Sequence, residues 1–337
     1  MQGRIEHKRK IESMLKEKLQ DKPHYLNEFY FSLRENSHTT KNRYISNVIR
    51  FLNYYNGFEI TKNTIINLQD INNITISQYI DSINYMEVND EVKELSAATK
   101  ACIYSSLSSF FDFLVNNNYI DISPFAKNKI KRPSVQETDI TFLTPEEIKK
   151  VENNILIGVG NKTSVSKQKN WKYRDYLLFR IPIVSGIRVT ALSEINIDDI
   201  NFSEKSINIT EKGNYDTKIY LDDKSFMFLN MWLEERLKLL DYDKNEKSLF
   251  ISNRKTRMTV RSIENIIEKY TETATEKHIT PHKLRSTCGT NLYQKKRDIY
   301  LVSKVLNHKT TAPTKRYAKV FEEDRKEAAY DLASIYD

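Results

Sequence analysis

Six side chains in the second half of the chain are of types that can act together on a phosphodiester. In chain order they are Arg188, Lys212, His282, Arg285, His308 and Tyr317. The middle histidine and arginine are three residues apart, and the last histidine precedes the tyrosine by nine. Each residue alone is unremarkable in a chain with 20 tyrosines and 53 lysines plus arginines. The signal comes from the complete, ordered set.

The two arginines suit a phosphodiester that becomes more negative as it is attacked. Arg188 and Arg285 can each donate paired hydrogen bonds to the non-bridging oxygens, and their charge persists at any working pH. Tyr317 is the candidate nucleophile. Because a tyrosine normally has a pKa of about 10, it needs a base to accept its proton at neutral pH. His282 is the candidate for that base.

The remaining groups concern the leaving oxygen and the phosphate. Lys212, on a predicted hairpin, can protonate the leaving 5′ oxygen, and His308 can hydrogen-bond the phosphate or share the acid–base work. We expect no metal or other cofactor, because the arginines supply the charge that magnesium supplies in nucleases. His278 and His282 have the spacing of a zinc pair, but Pro281 breaks the helix that would aim both rings.

Capping and periodicity patterns define a domain that would hold these residues. It begins at a capping box in which Thr144 is the N-cap, Pro145 the first helical residue and Glu147 the third. A helical pattern over 174–195 includes the first arginine, which follows a glycine-containing corner between two apolar stretches. The polar segment 158–171 is predicted to be a loop.

A strand pattern follows and then gives way to helices. Residues 205–221 alternate apolar and polar around a glycine-asparagine turn, which predicts a β-hairpin. From residue 224 the pattern is helical again. We therefore predict a catalytic domain over 141–325, mostly α with a small sheet, and a tail helix over 326–337.

The first third of the chain is predicted to form a helical bundle. Apolar residues recur on one face over 44–55, 76–83 and 103–114. Such helices cannot bury their apolar stripes alone, so we expect them to pack together over 20–125. The candidate N-caps are Thr39 and Thr40 for the first of these helices, and Ser96 and Thr99 precede the third.

Residues 126–140 are predicted to form a basic linker between the two domains. The proline-bounded stretch 124–133 contains four lysines and arginines and no acid. The linker either lies along a phosphate backbone or is a solvated tether, and composition favours neither.

The composition excludes several classes of protein. Seven glycines and seven prolines are too few for collagen or low-complexity repeats. Cys102 and Cys288 are far apart, so we expect neither a disulfide framework nor a cysteine-rich zinc site. No apolar run could span a membrane and the charged start resembles no signal peptide, so we expect a cytoplasmic protein of the bacterial nucleoid. The net charge of +8 suits a polyanionic partner.

The six residues resemble the signature of the tyrosine recombinase (phage integrase) family. That signature runs from an arginine through a hairpin lysine, His-x-x-Arg and a histidine to a nucleophilic tyrosine nine residues later. The similarity covers roughly 30–320, including RDYLLFRIPIVSGIRV before the first arginine and FLTPEEI at the domain start. It implies a mainly α fold with a small β-sheet: an N-terminal helical core-binding domain and a C-terminal α+β catalytic domain.

The resemblance also implies a reaction and its partners. The tyrosine would attack a scissile phosphate of double-stranded DNA, leaving a 3′-phosphotyrosyl link and a free 5′ hydroxyl, and religation would need no ATP. Relatives act as four protomers on two DNA sites, so we expect a homotetramer. Accessory DNA-bending or directionality factors are further expected partners. The tail helix would dock on a neighbouring protomer or pack on its own domain.

Three positions depart from the family pattern. Ala191 replaces the usual glutamate three residues after the first arginine, and Glu194 follows one helical turn later. Asn307 replaces the glycine before the last histidine, and Ser286 replaces a frequent histidine after the second arginine. These changes affect fine geometry, but all six reactive side chains are present.

Several functions are compatible with this signature. We favour integration or excision of a mobile element over resolution of chromosome or plasmid dimers. A type IB topoisomerase shares the chemistry, but the first domain, which resembles a core-binding domain, argues against it. A catalytically silent DNA-binding protein is disfavoured by the intact residues. A metal-dependent nuclease is disfavoured because no carboxylate cluster lies near the basic segments.

Overall fold

The chain is divided into two compact units, Met1–Thr138 and Asp139–Asp337. The computed structural model describes residues 2–88, 91–126, 130–135, 139–211, 215–242, 245–308 and 310–318. Lys212 and the tail over 326–337 lie outside the described residues, so their roles stay predictions. Within the described ranges, no helix has the length and apolar character needed to cross a membrane.

The N-terminal unit consists of amphipathic helices around an aromatic core. Its described residues form five α-helices: α1 (Gln2–Leu19), α2 (His24–Ser32), α3 (His38–Asn56), α4 (Asn73–Ser82) and α5 (Ala97–Asn116). Between α3 and α5, the Asn47 amide donates to the buried Ser106 hydroxyl over 3.0 Å. Phe51 and Phe111, both fully buried, meet edge to face between the same two helices.

The helix starts in this unit follow capping chemistry. Of the two residues expected before α5, Ser96 is the N-cap, and its hydroxyl accepts from the N–H of Thr99, which lies inside the helix. The prediction of Thr39 or Thr40 as the N-cap of α3 is wrong. The N-cap is Ser37, whose hydroxyl accepts from the Thr40 N–H over 3.2 Å, so the helix begins earlier than expected.

The bundle also uses residues on both sides of the range expected for it. Leu15 and Leu19 of α1 are buried in the same core as the other helices. After α5, Ile130 is buried there too, and its carbonyl accepts from the Tyr104 hydroxyl over 3.1 Å. The core therefore extends beyond the predicted 20–125 in both directions.

Two short elements lie between α3 and α5. A 3-10 turn at Leu68–Asp70 precedes α4, and an antiparallel hairpin of β1 (Tyr85–Val88) and β2 (Glu91–Glu94) follows it. This hairpin was not predicted, because charged residues interrupt any apolar alternation in its sequence.

The C-terminal unit is organised around a helix that is apolar on nearly every side. Its described helices are α6 (Pro145–Ile157), α7 (Lys162–Gln168), α8 (Lys172–Ser185), α9 (Val189–Glu194), α10 (Asp223–Leu239), α11 (Val260–Thr271), α12 (Pro281–Lys296), α13 (Ile299–Val305) and α14 (Lys315–Ala318). The central helix is α8, which buries the run from Tyr176 to Phe179. Helices α6, α10 and α12 pack directly on it.

The start of this unit confirms the predicted capping box. The Thr144 hydroxyl accepts from the Glu147 N–H over 3.3 Å, and the Glu147 carboxylate accepts from the Thr144 N–H over 2.8 Å. Pro145 occupies the first turn of α6, where its missing N–H costs nothing.

One stretch differs from the predicted pattern and another follows it. Segment 158–171, predicted to be a loop, contains α7, because Asn161 supplies an N-cap that accepts from the Ser164 N–H. The helical pattern over 174–195 corresponds to two helices, and the predicted glycine-containing corner between them lies at Gly186, which adopts a φ of 67°.

A small antiparallel sheet completes the unit. In spatial order its strands are β3 (Ile200–Asn201), β4 (Ser206–Glu211) and β5 (Tyr215–Tyr220). Ile207 pairs with Ile219 and Ile209 with Thr217, which confirms the predicted hairpin. The three isoleucines are buried in the core that α8 shares. The fold is thus mainly α with a small β-sheet, as predicted.

Candidate active site

Arg188 is positioned by a sharp change of direction at the end of α8. Gly186 ends that helix in the left-handed conformation, and Arg188 is the N-cap of α9 two residues later. A side chain at Gly186 would collide with the Leu306 side chain, so the corner needs glycine for space as well as for conformation. Arg188 is half-buried at this corner.

Arg285 lies in α12 and connects two other segments of the site. Only 4% of its surface is exposed. Its Nη1 donates to the Gly186 carbonyl over 2.5 Å, and its Nη2 donates to the Leu306 carbonyl. Because these acceptors precede Arg188 and His308 by two residues each, one buried cation joins the segments that carry both side chains.

The start of α12 puts His282 near the same cation. Thr280 is the N-cap and Pro281 the first helical residue, so His282 lies in the first turn. It precedes Arg285 by three residues, and side chains with that spacing share a helix face. His282 keeps an exposed surface, whereas Arg285 is buried.

His308 is oriented by the loop that follows α13. Its N–H donates to the Ser303 carbonyl over 3.0 Å. Its ring Nδ1 lies 2.8 Å from the hydroxyl of Thr314, a fully buried residue. The imidazole is therefore held through both its backbone and its ring.

Tyr317, in the short helix α14, lies in an apolar site. Its ring packs with Cys288, Val302 and Leu306, and only 7% of the residue is exposed. Gly289 of α12 admits the ring, because a Cβ at that position would lie 2.8 Å from two ring carbons.

Desolvation and nearby positive charge keep both histidines neutral near pH 7. Burial, together with Arg285 and Arg188, lowers the pKa of His308 to about 4. Desolvation by neighbouring atoms, and then Arg285 and further cations, also lower the pKa of His282, although part of its surface is exposed. A neutral imidazole can accept a proton, which is the requirement for a general base.

The environment of Tyr317 favours the protonated phenol. Burial raises its pKa, and this effect is opposed by a hydrogen bond with the Ser286 side chain and by the charges of Arg285 and Arg316. The phenol must therefore lose its proton during attack. Burial raises the pKa of the neighbouring Cys288 thiol to about 12, so this cysteine is not a competing thiolate.

Five of the six predicted residues thus lie in one electrostatically connected region. Arg188 and Arg285 both depress the pKa of each histidine, and Arg285 also acts on Tyr317. Lys212 lies outside the described residues.

Comparison with known proteins identifies the family. A sequence profile described as the phage integrase family matches residues 143–324, which is more than half of the chain. The chain belongs to the phage integrase family. It is accordingly a tyrosine recombinase, an enzyme that cleaves and rejoins DNA strands.

Individual known recombinases are similar to this tyrosine recombinase in sequence or in fold. Tyrosine recombinase XerC of Caldanaerobacter subterraneus subsp. tengcongensis is 29% identical over 261 residues, covering 74% of this chain and 69% of the relative. Tyrosine recombinase XerS of Streptococcus thermophilus is 26% identical over 325 residues, which cover 88% of this chain and 91% of the relative. The XerH site-specific recombinase bound to palindromic difH substrate shares the fold, with a TM-score of 0.67 and 21% identity. The match covers 90% of this chain and 83% of the XerH chain.

Two of this recombinase's departures from the family pattern have a structural account. Asn307 adopts a φ of 47°, a region where glycine is unrestricted and asparagine is among the best-tolerated replacements. Asparagine therefore preserves the chain course into His308. Ala191 is buried in the core at 5% exposure and brings no polar group to the site.

Three residues that contact the reactive side chains were not among the predicted site residues. Thr314 contacts His308, but it is one of several threonines in its loop and no spacing rule marks it. Ser286 was noted only as a departure from the family pattern. Gly289 did carry a signal, because a glycine inside a helix costs about 1 kcal/mol relative to alanine and calls for a steric reason.

One cluster could supply metal ligands among the described residues. Oxygen and nitrogen atoms of Glu268, Glu272 and His278 lie within 4.8 Å of one another. These side chains are exposed or half-buried and include none of the six reactive residues.

Proposed function

We propose that this protein is a site-specific DNA recombinase that cleaves strands through a 3′-phosphotyrosyl intermediate on Tyr317. The observation that carries the proposal is the buried Arg285 beside Tyr317. Its hydrogen bonds to the Gly186 and Leu306 carbonyls hold the segments that bear Arg188 and His308.

The strand-cleavage step follows from these groups. The Tyr317 oxygen attacks the scissile phosphorus, its proton passes to the neutral His282, and the bond to the 5′ oxygen breaks. Arg188 and Arg285 stabilise the charge that develops on the non-bridging oxygens. Lys212 protonates the leaving 5′ oxygen, and His308 hydrogen-bonds the phosphate.

Rejoining uses the same chemistry in reverse. The phosphotyrosyl bond conserves the energy of the phosphodiester, so the 5′ hydroxyl of a partner strand can attack it without ATP. Exchange between two duplexes then requires four protomers on two DNA sites. A lambda integrase tetramer bound to a Holliday junction has the same fold, with a TM-score of 0.61 at 17% identity.

Double-stranded DNA is the substrate that the charge distribution favours. The chain carries a net charge of +8, and residues 301–320, which lead into the nucleophile, contain no aspartate or glutamate. Cations on this segment would neutralise phosphates and release counterions on binding. Among proteins of the same fold, XerH is bound to its difH substrate and a lambda integrase dimer to a core site.

The biological role that we propose is integration and excision of a mobile element, assisted by accessory DNA-bending or directionality factors. A second candidate is resolution of chromosome or plasmid dimers. It is favoured by similar proteins such as the tyrosine recombinases XerC and XerS described above.

Trapping of covalent complexes would test the chemistry and the role together. Protein incubated with sheared DNA from the source genome should form adducts that survive denaturation, and sequencing of the attached DNA identifies the site. Fragments from both ends of a segment that carries the gene support a mobile element, whereas one distant chromosomal site supports dimer resolution. Tyr317→Phe should give no adduct while keeping DNA affinity. A persistent adduct in this variant would contradict the assignment of the nucleophile.

A further inference from the structure

We propose that Ser286 and Gly289, one turn apart on α12, position Tyr317 for strand cleavage. Gly289 admits the aromatic ring against the helix, and Ser286 holds the phenolic oxygen. We call this pair the tyrosine seat. The inference rests on the proposed function, because it takes Tyr317 to be the nucleophile.

The first half of the tyrosine seat is a matter of space. A Cβ added to Gly289 would lie 2.8 Å from Cε2 and Cζ of Tyr317 and 2.9 Å from Cδ1 of Leu306. Real Cβ contacts do not come this close, so a larger residue would displace the ring. Since Cζ carries the hydroxyl, the reactive end of Tyr317 is the part that lies over the helix backbone. This close approach explains a glycine in a helix interior, where alanine is otherwise more stable.

The second half of the tyrosine seat is a hydroxyl group. Ser286 is buried at 8% exposure, and its side chain lowers the pKa of the Tyr317 phenol. The phenolic oxygen is the one polar atom of a tyrosine side chain, so it is the atom on which the serine hydroxyl can act. Ser286 precedes Gly289 by three residues, which puts both on the same face of α12. A serine hydroxyl can donate to the phenolate that develops during attack and so favours it.

The other groups around the phenol are charged or apolar. On α12, Arg285 favours the phenolate and Cys288 disfavours it, and on α14 Arg316 favours it. Val302 of α13 and Leu306, which follows that helix, contribute apolar contacts. Ser286 therefore adds a neutral, directional donor to the less directional attraction of the cations.

Single-turnover cleavage of a nicked suicide substrate, built on a trapped site and followed over a range of pH, tests the tyrosine seat. Ser286→Ala should lower the cleavage rate about tenfold, the usual effect of losing one hydrogen bond. It should also move to higher pH the limb of the pH–rate profile that reports ionisation of the phenol, because the phenol loses a donor that favours its ionised form. Ser286→Thr keeps the hydroxyl and should restore both properties. DNA affinity should remain that of the wild type throughout.

Two further variants control for packing. Gly289→Ala should lower the rate about 100-fold with DNA affinity retained, the scale expected when a reacting group is misplaced. Ser193→Ala removes an equally buried serine hydroxyl, which donates to the Thr190 carbonyl of α9, and should cleave at the wild-type rate. If Gly289→Ala does not fold, the Ser286→Ala and Ser286→Thr variants still test the tyrosine seat.

The outcomes separate the tyrosine seat from the function on which it rests. A Ser286→Ala variant with the wild-type rate overturns the seat. So does one that is slower but has an unchanged pH profile, since a purely structural loss would have that effect. Tyr317→Phe is run in the same gel. An adduct from Tyr317→Phe contradicts the nucleophile itself, whereas no adduct together with wild-type behaviour of Ser286→Ala contradicts the seat alone.

Discussion

The Nη1 atom of Arg285 donates to the main-chain oxygen of Gly186, a residue 99 positions earlier in the chain, over 2.5 Å. The same guanidinium bonds to the carbonyl of Leu306, 21 positions later. The side chain that we propose as a phosphate clamp is therefore also a structural connection between the segments of the site. Its removal should affect both stability and chemistry.

Arg285→Ala is expected to lower the cleavage rate about 10²–10³-fold, the scale for losing one preorganised donor. It should also lower the free energy of unfolding by roughly 2–4 kcal/mol, because two buried carbonyls lose their donor. Suicide-substrate cleavage and urea denaturation measure the two effects. Arg254→Ala, at an exposed arginine of the same unit, is the control and should change neither. Loss of activity without loss of stability would contradict the proposed role of Arg285 in connecting the segments of the site.

Strand cleavage should not need a divalent cation. The arginines supply the positive charge that a metal ion supplies in nucleases, so excess EDTA should leave the cleavage rate unchanged. The measurement is adduct formation with and without EDTA, followed by addition of magnesium. Cleavage that stops in EDTA and returns with magnesium would favour the metal-dependent nuclease instead.

Stability should depend on pH through His308. Its pKa is about 4 in the folded protein, against an ordinary value of 6.5. Between these values the unfolded chain binds the proton more readily, so stability present at pH 7 is lost as the pH falls towards 4. Urea denaturation should show that His308→Gln loses less free energy of unfolding between pH 7 and pH 4 than the wild type does. His24→Gln, at a largely exposed histidine, should lose as much free energy of unfolding as the wild type.

The local features of the fold could be predicted from sequence, because their signals lie within a few residues. The capping box at Thr144 and the alternation around Ile207 are of this kind, and both were confirmed. Short polar elements such as α7 were missed because they bury no apolar stripe. The N-cap of α3 was assigned to Thr39 or Thr40 because several hydroxyl residues are adjacent there, and only backbone geometry selects Ser37.

The reactive residues were recognisable from their order, but their connections were not. The acceptors of Arg285 are backbone carbonyls, which are present at every position and so carry no sequence signal. The contact between His308 and Thr314 depends on the path of a loop. The apolar burial of Tyr317 follows from the packing of α14 on α12 and could not be inferred from spacing.

Gly186→Ala should destabilise the C-terminal unit by more than the ordinary cost of a left-handed alanine, which is about 1 kcal/mol. The added Cβ would also collide with the Leu306 side chain and move the Arg285 acceptor. Gly160→Ala is the matched control, with a φ of 94° and its closest contact at 3.4 Å. Thermal unfolding should show a clearly larger loss for Gly186→Ala. Equal losses would mean that the corner can relax.

The basic linker can be tested through salt dependence. If exposed Lys131 and Arg132 contact phosphates, replacing both with alanine removes two released counterions. The slope of log K against log salt concentration should then become shallower by about 1.8. Titration of labelled site DNA at several salt concentrations measures this slope. An unchanged slope would assign the linker to the solvated-tether alternative.

Helix α12 carries His282, Arg285, Ser286 and Gly289 on one unbroken stretch of backbone. An inserted residue between Arg285 and Ser286 would rotate everything beyond it by about 100° and advance it by about 1.5 Å. A substitution in this helix changes one contact at a time, whereas an insertion or deletion would separate His282 and Arg285 from the tyrosine seat in a single event. In the evolution of this protein, α12 should therefore accumulate replacements but keep its length, and changes in length should be confined to the loops.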